Sequence, residues 1–377
     1  MVQELKNPFA FAGYYGQDYF CDREKETVQI IRNIVNGGST TLTAIRRMGK
    51  TGLIHHCFGS LPKGFTGIYV DILSTENLTE FLNLLTTSIL RDVPEKSSPG
   101  KKLWTFIKSL RPVISFDTLT GNPKASFEIR HEQVEQNISS VLQFLDQQEF
   151  KTVIAIDEFQ QILNYPEKNT DAWLRGTIQQ LKNVRFLFSG SHQHLMAEIF
   201  SSPGRPFFRS THMIKLDKID KNEYSDFIIR KFAEYKKVIT RDIVSEILEW
   251  CDVHTYYVQL LCNRVFSATP KKVTAGVWRE QADELLREQE FIFLNYRSLL
   301  TQSQWQLLKS IAIEGRVYKP TSRYFLEKHK LGSSAAVLRS LQALIKYEMV
   351  FHDFDQNGEK YFSVYDVLFR QWAKIKN

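Results

Sequence analysis

Short apolar runs recur through the first 215 residues, at 41–45, 66–72, 152–156, 184–189 and 213–216, each bounded by polar stretches long enough for a helix. Runs of this length, rich in Ile, Val and Phe, fit strands of a parallel sheet buried on both faces, with crossover helices between them. The pattern predicts a doubly wound α/β domain. Between 94 and 123 the rhythm breaks at Ser97-Ser98-Pro99-Gly100-Lys101-Lys102, at 104–110 and at Gly121-Asn122-Pro123. That interval reads as an inserted loop, short helix and hairpin, with strands at 113–116 and 126–129. Its basic edge either meets a partner or is simply solvated.

After Leu216 the strand signals stop. Segments 221–236, 240–251 and 256–267 carry apolar residues at helical spacing, which predicts a small helical domain. From about Glu288 the pattern gives helices at 303–313, 321–329 and 333–347, then two strand-like runs around Asn357-Gly358. Three helices followed by a hairpin predict a winged helix. The expected domains are residues 1–216 (α/β), 217–286 (helical lid) and 287–377 (winged helix).

Length agrees, because single cores usually stop growing at about 250–300 residues and this chain has 377. Hydrophobic content of 43% and charged content of 24% sit close to globular averages and suggest neither disorder nor a fibrous repeat. No stretch approaches the roughly 20 apolar residues that cross a bilayer, and residues 1–15 mix charge with Pro8 and Gly13. A cytoplasmic protein with no membrane partner is expected. Cys21, Cys57, Cys251 and Cys262 form no CxxC pair and no zinc spacing, so buried free thiols are expected. The net charge of +7 favours phosphate-rich partners, modestly for this length.

The candidate chemistry starts where run 41–45 enters Arg46-Arg47-Met48-Gly49-Lys50-Thr51, followed at Gly52 by an apolar helix start. Strand, turn and helix in that order form a phosphate cradle: backbone N–H groups and the helix N-terminus surround the phosphates, Lys50 neutralises the β- and γ-phosphates, and the Thr51 hydroxyl holds Mg²⁺. The full GxxxxGK[ST] pattern has glycine five residues before Gly49, where this chain has Ala44. A methyl group there has to point away from the phosphates, and reduced affinity is one outcome. About a hundred residues on, the run 152–156 ends in Asp157-Glu158. At a strand's carboxyl end Asp157 can reach the Mg²⁺ shell, and Glu158 can polarise the water that attacks the γ-phosphate. Two solvated acids at a strand end are the plain alternative, but the conjunction with Gly49-Lys50-Thr51 points to a P-loop NTPase binding ATP and Mg²⁺. Glutamate directly after aspartate favours the ASCE/AAA-like class, with an extra strand between the two motifs.

At these residues the chain resembles the prokaryotic STAND-type and archaeal ATPase family, distant relatives of origin-recognition ATPases. The resemblance rests on Phe20-Cys21-Asp22-Arg23-Glu24-Lys25-Glu26, Arg46-Arg47-Met48-Gly49-Lys50-Thr51, Ile156-Asp157-Glu158-Phe159-Gln160, Ser189-Gly190-Ser191, Pro206-Phe207-Phe208-Arg209 and Tyr256-Tyr257-Val258-Gln259. It implies that Arg23 and Glu24 lie beside the base and ribose; a charged helix start is the alternative. It implies that Ser191, with Ser189 second, senses the γ-phosphate beside Glu158; a tight strand-end turn explains Gly190 equally. It implies that Arg209 acts on a γ-phosphate within the chain or across an oligomer, against a plain surface arginine. The family's proline before the paired aromatic is replaced by His254-Thr255, which leaves contact of the lid with nucleotide open.

In a winged helix the third helix reads the major groove, and here its exposed face offers Arg339, Gln342 and Lys346. Residues 287–377 hold 14 Lys and Arg against 9 Asp and Glu, most of the chain's excess charge, which favours DNA. Asp353, Asp355 and Glu359 in the wing oppose it. The resemblance implies a competing use, docking on the ATPase domain, for which Tyr361, Phe362, Tyr365, Phe369 and Trp372 supply aromatic area unless they fill the module's own core. The expected function is an ATP-binding and ATP-hydrolysing switch coupled to the winged helix, with ATP or ADP as ligand and an unidentified protein or a second copy as partner. Two alternatives stay open: a DNA-binding, initiator-like regulator with mainly structural nucleotide, and an inactive interaction scaffold.

Overall fold

The computed structural model describes residues 5–128 and 131–376. The chain divides into two compact units, Arg23–Asp217 and the pair of segments Met1–Asp22 and Lys218–Asn377.

The first unit runs α1 (Glu24–Val35), β1 (Thr40–Thr43), α2 (Lys50–Gly59), β2 (Phe65–Asp71), α3 (Leu78–Asp92), α4 (Ser98–Ser109), β3 (Val113–Phe116) and β4 (Pro123–Ser126). It continues with α5 (His131–Asp146), β5 (Lys151–Asp157), α6 (Thr170–Gln179), β6 (Val184–Gly190), α7 (Gln193–Ser201) and β7 (His212–Lys215). Five strands form one parallel sheet in the order β2-β5-β6-β1-β7. Side chains of β1 are all buried, and those of β5 and β6 nearly so, because helices cover both faces of the central strands. The edge strands β2 and β7 are only partly covered. β6 is the extra strand expected between the two motifs, since it separates β1 from β5. The inserted hairpin is β3 paired antiparallel with β4. Its second strand begins at Pro123, earlier than the expected 126–129, and Ile129 lies outside the described residues.

Below the carboxyl end of β5, Phe159, Phe188, Phe200 and Phe207 pack with ring centroids 4.4–5.7 Å apart. All four are essentially inaccessible. This cluster anchors the segment after Asp157-Glu158 on the same core as Pro206-Phe207-Phe208-Arg209, two stretches about fifty residues apart in sequence.

The second unit is helical through α8 (Lys221–Glu234), α9 (Arg241–Trp250), α10 (Thr255–Ala268) and the 25-residue α11 (Ala275–Leu299). The winged helix follows as α12 (Gln302–Glu314), α13 (Arg323–Lys328), α14 (Ser334–Lys346), β8 (Val350–Phe354), β9 (Lys360–Val364) and α15 (Val367–Ile375). One continuous apolar cluster runs from Phe9 through the helices to Ala373. Residues 5–22, assigned from the pattern to the α/β domain, pack instead with this unit. Phe9 packs against Phe232 and Phe266 with ring centroids 5.3 and 5.9 Å away, and the Asn7 amide donates to Asn263 O at 2.8 Å. Helical and winged parts are also tied by polar contacts: Arg370 Nη1 donates to Asp252 Oδ2 at 3.0 Å, Tyr257 Oη to Asp366 Oδ1 at 3.1 Å, and Gln371 Nε2 to Trp250 O at 2.6 Å. Burial alone would raise the Asp252 carboxyl, but Arg370 and Lys218 outweigh it and hold the group below the usual carboxylate range. The four cysteines are buried free thiols. No helix among the described residues is long and apolar enough to cross a membrane.

Candidate nucleotide site

The turn between β1 and α2 carries its two left-handed residues at Arg47 (φ 62°) and Gly49 (φ 92°). Ala44 is not one of them, and its methyl group is fully buried. The chain therefore tolerates alanine at that point, because the conformation that requires glycine falls at Gly49. Gly49 is the residue before α2, and no side chain caps that helix. The first N–H groups of α2 are left to an anion, as a phosphate cradle requires. Met48 is buried beneath the turn, Arg46 and Arg47 are exposed, and Gly52 continues the helix half-buried. Arg46 Nη2 lies 3.3 Å from His192 Nε2.

Lys50 is 6% exposed. Burial pushes its ammonium below the usual lysine range, and the Glu158 and Asp157 carboxylates act against that shift. Thr51 Oγ1 donates to Asp157 Oδ2 at 2.8 Å, joining the turn to the end of β5. Tyr69 Oη donates to the same oxygen at 2.8 Å, and Ser189 Oγ donates to Asp157 Oδ1 at 2.6 Å. Three hydroxyls from three elements thus fix one buried carboxylate.

Glu158 sits in the left-handed region at φ 55°, which turns its side chain out of the strand's alternation. Gln160 Nε2 donates to its Oε2 at 2.6 Å, Ser191 Oγ at 2.8 Å and Ser191 N at 3.2 Å. All three contacts fall on Oε2, so Oε1 has no protein partner among the described residues. Gly190 is needed for this close packing, since a Cβ there would stand 2.3 Å from Gln160 Oε1 and 2.5 Å from Met196 Sδ. The two serines therefore divide: Ser191 meets Glu158, and Ser189 meets Asp157.

The remaining predicted residues stand apart from this cluster. Arg23 is buried with φ 89°, bonds Glu26 through Nη1 at 3.1 Å, and has a buried Nη2 with no hydrogen-bond partner. Glu24 opens α1 and is exposed. Arg209 is exposed, left-handed at φ 51°, with its guanidinium 5.2 Å from the Phe208 ring. Among the described residues no hydrogen bond or ion pair links Arg23, Glu24 or Arg209 to Lys50, Asp157 or Glu158.

Two partners in the site have no role assigned from the sequence: Tyr69 on Asp157, and Gln160 on Glu158, although Gln160 lies in the segment that carries the resemblance. Tyr69 lies on β2 opposite Ala155 of β5, two positions before Asp157. His55 packs against that ring at 4.8 Å, and burial pushes its imidazole below the ordinary histidine value. For Tyr69, only the register of β2 against β5 carries the information.

In the second unit, Arg339, Gln342 and Lys346 of α14 are exposed. Phe369 and Trp372 fill the core with Phe293 and Trp305, at ring separations of 5.5–6.1 Å, which removes them from any docking face. Asp355 serves the wing's turn, accepting from Asn357 N and Glu359 N at 2.9 Å each.

Residues 20–261 match the sequence profile of a family described as an ATPase domain predominantly from Archaea, and residues 291–375 match that of a probable winged helix domain. No curated protein matches the chain. The fold is similar to that of the Walker-type ATPase PABY2304 of Pyrococcus abyssi, with 16% identity over 97% of this chain and 99% of that one and a TM-score of 0.66. It is similar to the Aeropyrum pernix ORC2 protein, solved as ADPNP–ADP complexes, with 12% identity over 94% and 92% and a TM-score of 0.58. It is also similar to the Aeropyrum pernix ORC1 protein in complex with DNA, with 13% identity over 99% and 97% and a TM-score of 0.53. At these identities the likeness is one of fold.

Proposed function

The chain belongs to the family of ATPase domains found predominantly in Archaea, and from that premise we propose that it is an ATP-hydrolysing switch of the STAND type whose nucleotide state is passed to the winged helix. The observation that carries this reading is the hydrogen bond from Thr51 in the phosphate turn to Asp157, with Glu158 held one residue further on by Ser191. A hydroxyl and a carboxylate at hydrogen-bond distance are the donor set that Mg²⁺ takes in such sites, and the uncapped start of α2 is ready for phosphate. When bound, Mg²⁺ would neutralise charge on the β- and γ-phosphate oxygens.

The chain's own groups have separate tasks. The α2 amides and Lys50 bind the phosphates. Tyr69 and Ser189 keep Asp157 oriented toward Thr51. Glu158 orients the attacking water through Oε1 and accepts its proton, while Ser191 and Gln160 hold Oε2. The unpartnered Arg23 Nη2 supports a place for Arg23 and Glu24 at the base and ribose. Arg209, exposed on its strained turn, is assigned to the γ-phosphate of its own or a neighbouring chain. Residues 23–216, 217–286 and 287–377 are taken as nucleotide, lid and winged-helix modules in a cytoplasmic protein, with residues 5–22 packed on the second unit.

Fluorescent-nucleotide binding and turnover, measured on the same preparation with and without Mg²⁺, test the proposal. Mg²⁺-dependent hydrolysis of ATP is expected; tight binding without turnover would remove the enzyme reading.

A second reading has a specific observation behind it. Arg339, Gln342 and Lys346 are exposed on α14, and the relative ORC1 was solved with DNA. DNA binding by this face is expected to weaken as salt rises. Arg339→Ala with Lys346→Ala should flatten that slope, by about one unit of log K per log salt for each cation that no longer neutralises a phosphate. DNA binding that ignores both substitutions takes α14 out of the contact, and a chain indifferent to DNA shifts weight to a protein partner.

A further inference from the structure

The inserted hairpin is closed along one edge and open along the other. On the β4 side, Ala125 N donates to Thr87 Oγ1 of α3 at 3.0 Å, the Thr87 hydroxyl reaches Ala125 O at 3.4 Å, and Phe127 N donates to Asn83 Oδ1 at 2.8 Å. Because the amide groups of Ala125 point to α3, the opposed pair Ile114 and Ala125 is a non-hydrogen-bonded one. Ile114 therefore directs its N–H and C=O away from β4. Phe116, two residues on, does the same, opposite Pro123, which has no N–H to offer. The bond from Asp117 N to Asn122 O at 2.9 Å fits that alternation. Among the described residues nothing bonds the backbone of Ile114 or Phe116 on the outer side.

An open strand edge is a template for another strand, and proteins usually shield it with charge, a bulge or a cover. Among the described residues this edge has none of these along β3 itself: Val113 and Phe116 are each 60% exposed, and Leu119 at the tip is 95% exposed. Ile114 holds the hairpin on the domain core. Charge narrows the occupant. Of the five Lys or Arg in residues 101–124, Lys108 is paired with Glu95 at 2.8 Å, and Arg111 and Lys124 flank the hairpin, which holds one acid, Asp117. That acid is committed to the turn, where its Oδ1 accepts from Leu119 N, Thr120 N and the Thr120 hydroxyl at 3.1, 2.7 and 2.8 Å. A second copy would bring like charges together, which opposes pairing of β3 with itself.

We propose that the free edge of β3 takes up an extended, acidic peptide segment of a partner protein as a third strand. Ile114 and Phe116 supply the main-chain hydrogen bonds, Val113 and Phe116 the apolar contact, and the basic segment selects acidic side chains. This site is independent of the nucleotide reading.

The test uses the full chain and a dye-labelled nonapeptide alternating valine and glutamate, followed by fluorescence anisotropy and by amide hydrogen exchange of the β3 segment. Binding with slowed exchange across β3 is expected. Phe116→Pro, which removes one outward N–H and the ring but no bond of the hairpin ladder, should weaken binding about tenfold or more. Arg111→Glu with Lys124→Glu should weaken it several-fold and reduce its salt dependence, with thermal melting unchanged as the check on folding. The proposal is overturned if the peptide does not bind, if exchange at β3 does not slow, or if a proline-interrupted peptide binds equally well. It is equally overturned if duplex DNA, not peptide, protects β3, or if the chain self-associates through this edge and Phe116→Pro abolishes that.

Discussion

Glu158→Gln is expected to slow ATP turnover by about 10²–10⁴-fold while nucleotide still binds, the loss typical of a removed general base. The substitution suits the question because glutamine keeps the shape of the side chain, and its amide oxygen can still accept from Ser191 and Gln160. Only the basic group facing the water is lost. Single-turnover hydrolysis and fluorescent-nucleotide affinity, measured side by side, separate the two effects. Unchanged turnover would take Glu158 out of the chemistry and leave it as a partner of Ser191.

Lys50→Ala should act earlier, lowering nucleotide affinity by about a hundredfold or more and abolishing turnover, since in the proposed site the lysine is the charge that faces the β- and γ-phosphates. Its burial sharpens the prediction. The ammonium is desolvated in the folded protein, so removing it relieves a cost of folding even as it leaves Asp157 and Glu158 without their cation. Nucleotide binding should therefore fall far more than the melting temperature of the nucleotide-free protein. Equal losses in both would mean that Lys50 is chiefly structural.

The parts of the fold that are legible in the sequence are those where one local rule dominates. β5 and β6 are almost wholly buried on both faces, so they appear as apolar runs, broken in β6 only by Arg185. Asp157 and Glu158 are legible because they end such a run, and Lys50 and Thr51 because Gly49-Lys50-Thr51 stands between a strand-like run and an apolar helix start. β4 starts ahead of its expected place because Pro123 reads as a breaker, although at a position that donates nothing to the ladder proline is harmless. The run Phe291-Ile292-Phe293-Leu294 blurs the helical period within α11, where only Phe293 is fully buried. Phe9 cannot be assigned to its unit from the sequence, because its partners Phe232 and Phe266 lie more than two hundred residues away. Tyr69 and the separate partners of Ser189 and Ser191 depend on how three strands are registered, which no local pattern encodes.

The continuous core of the second unit has a mechanical consequence. At its start α11 is fixed to α9, with Trp278 Nε1 donating to Glu246 Oε2 at 3.1 Å; further along, Glu290 takes Lys376 at 2.9 Å and Trp372 Nε1 at 3.3 Å, both from the carboxyl-terminal end of the winged helix. A helix of 25 residues is about 37 Å long. Because the helices α8–α11 and the winged helix share one core, a tilt of about ten degrees at one end of such a rod would carry the other through about 6 Å, more than a full helical turn. A small angular change at the lid would thus become a stroke large enough to seat or unseat a recognition surface.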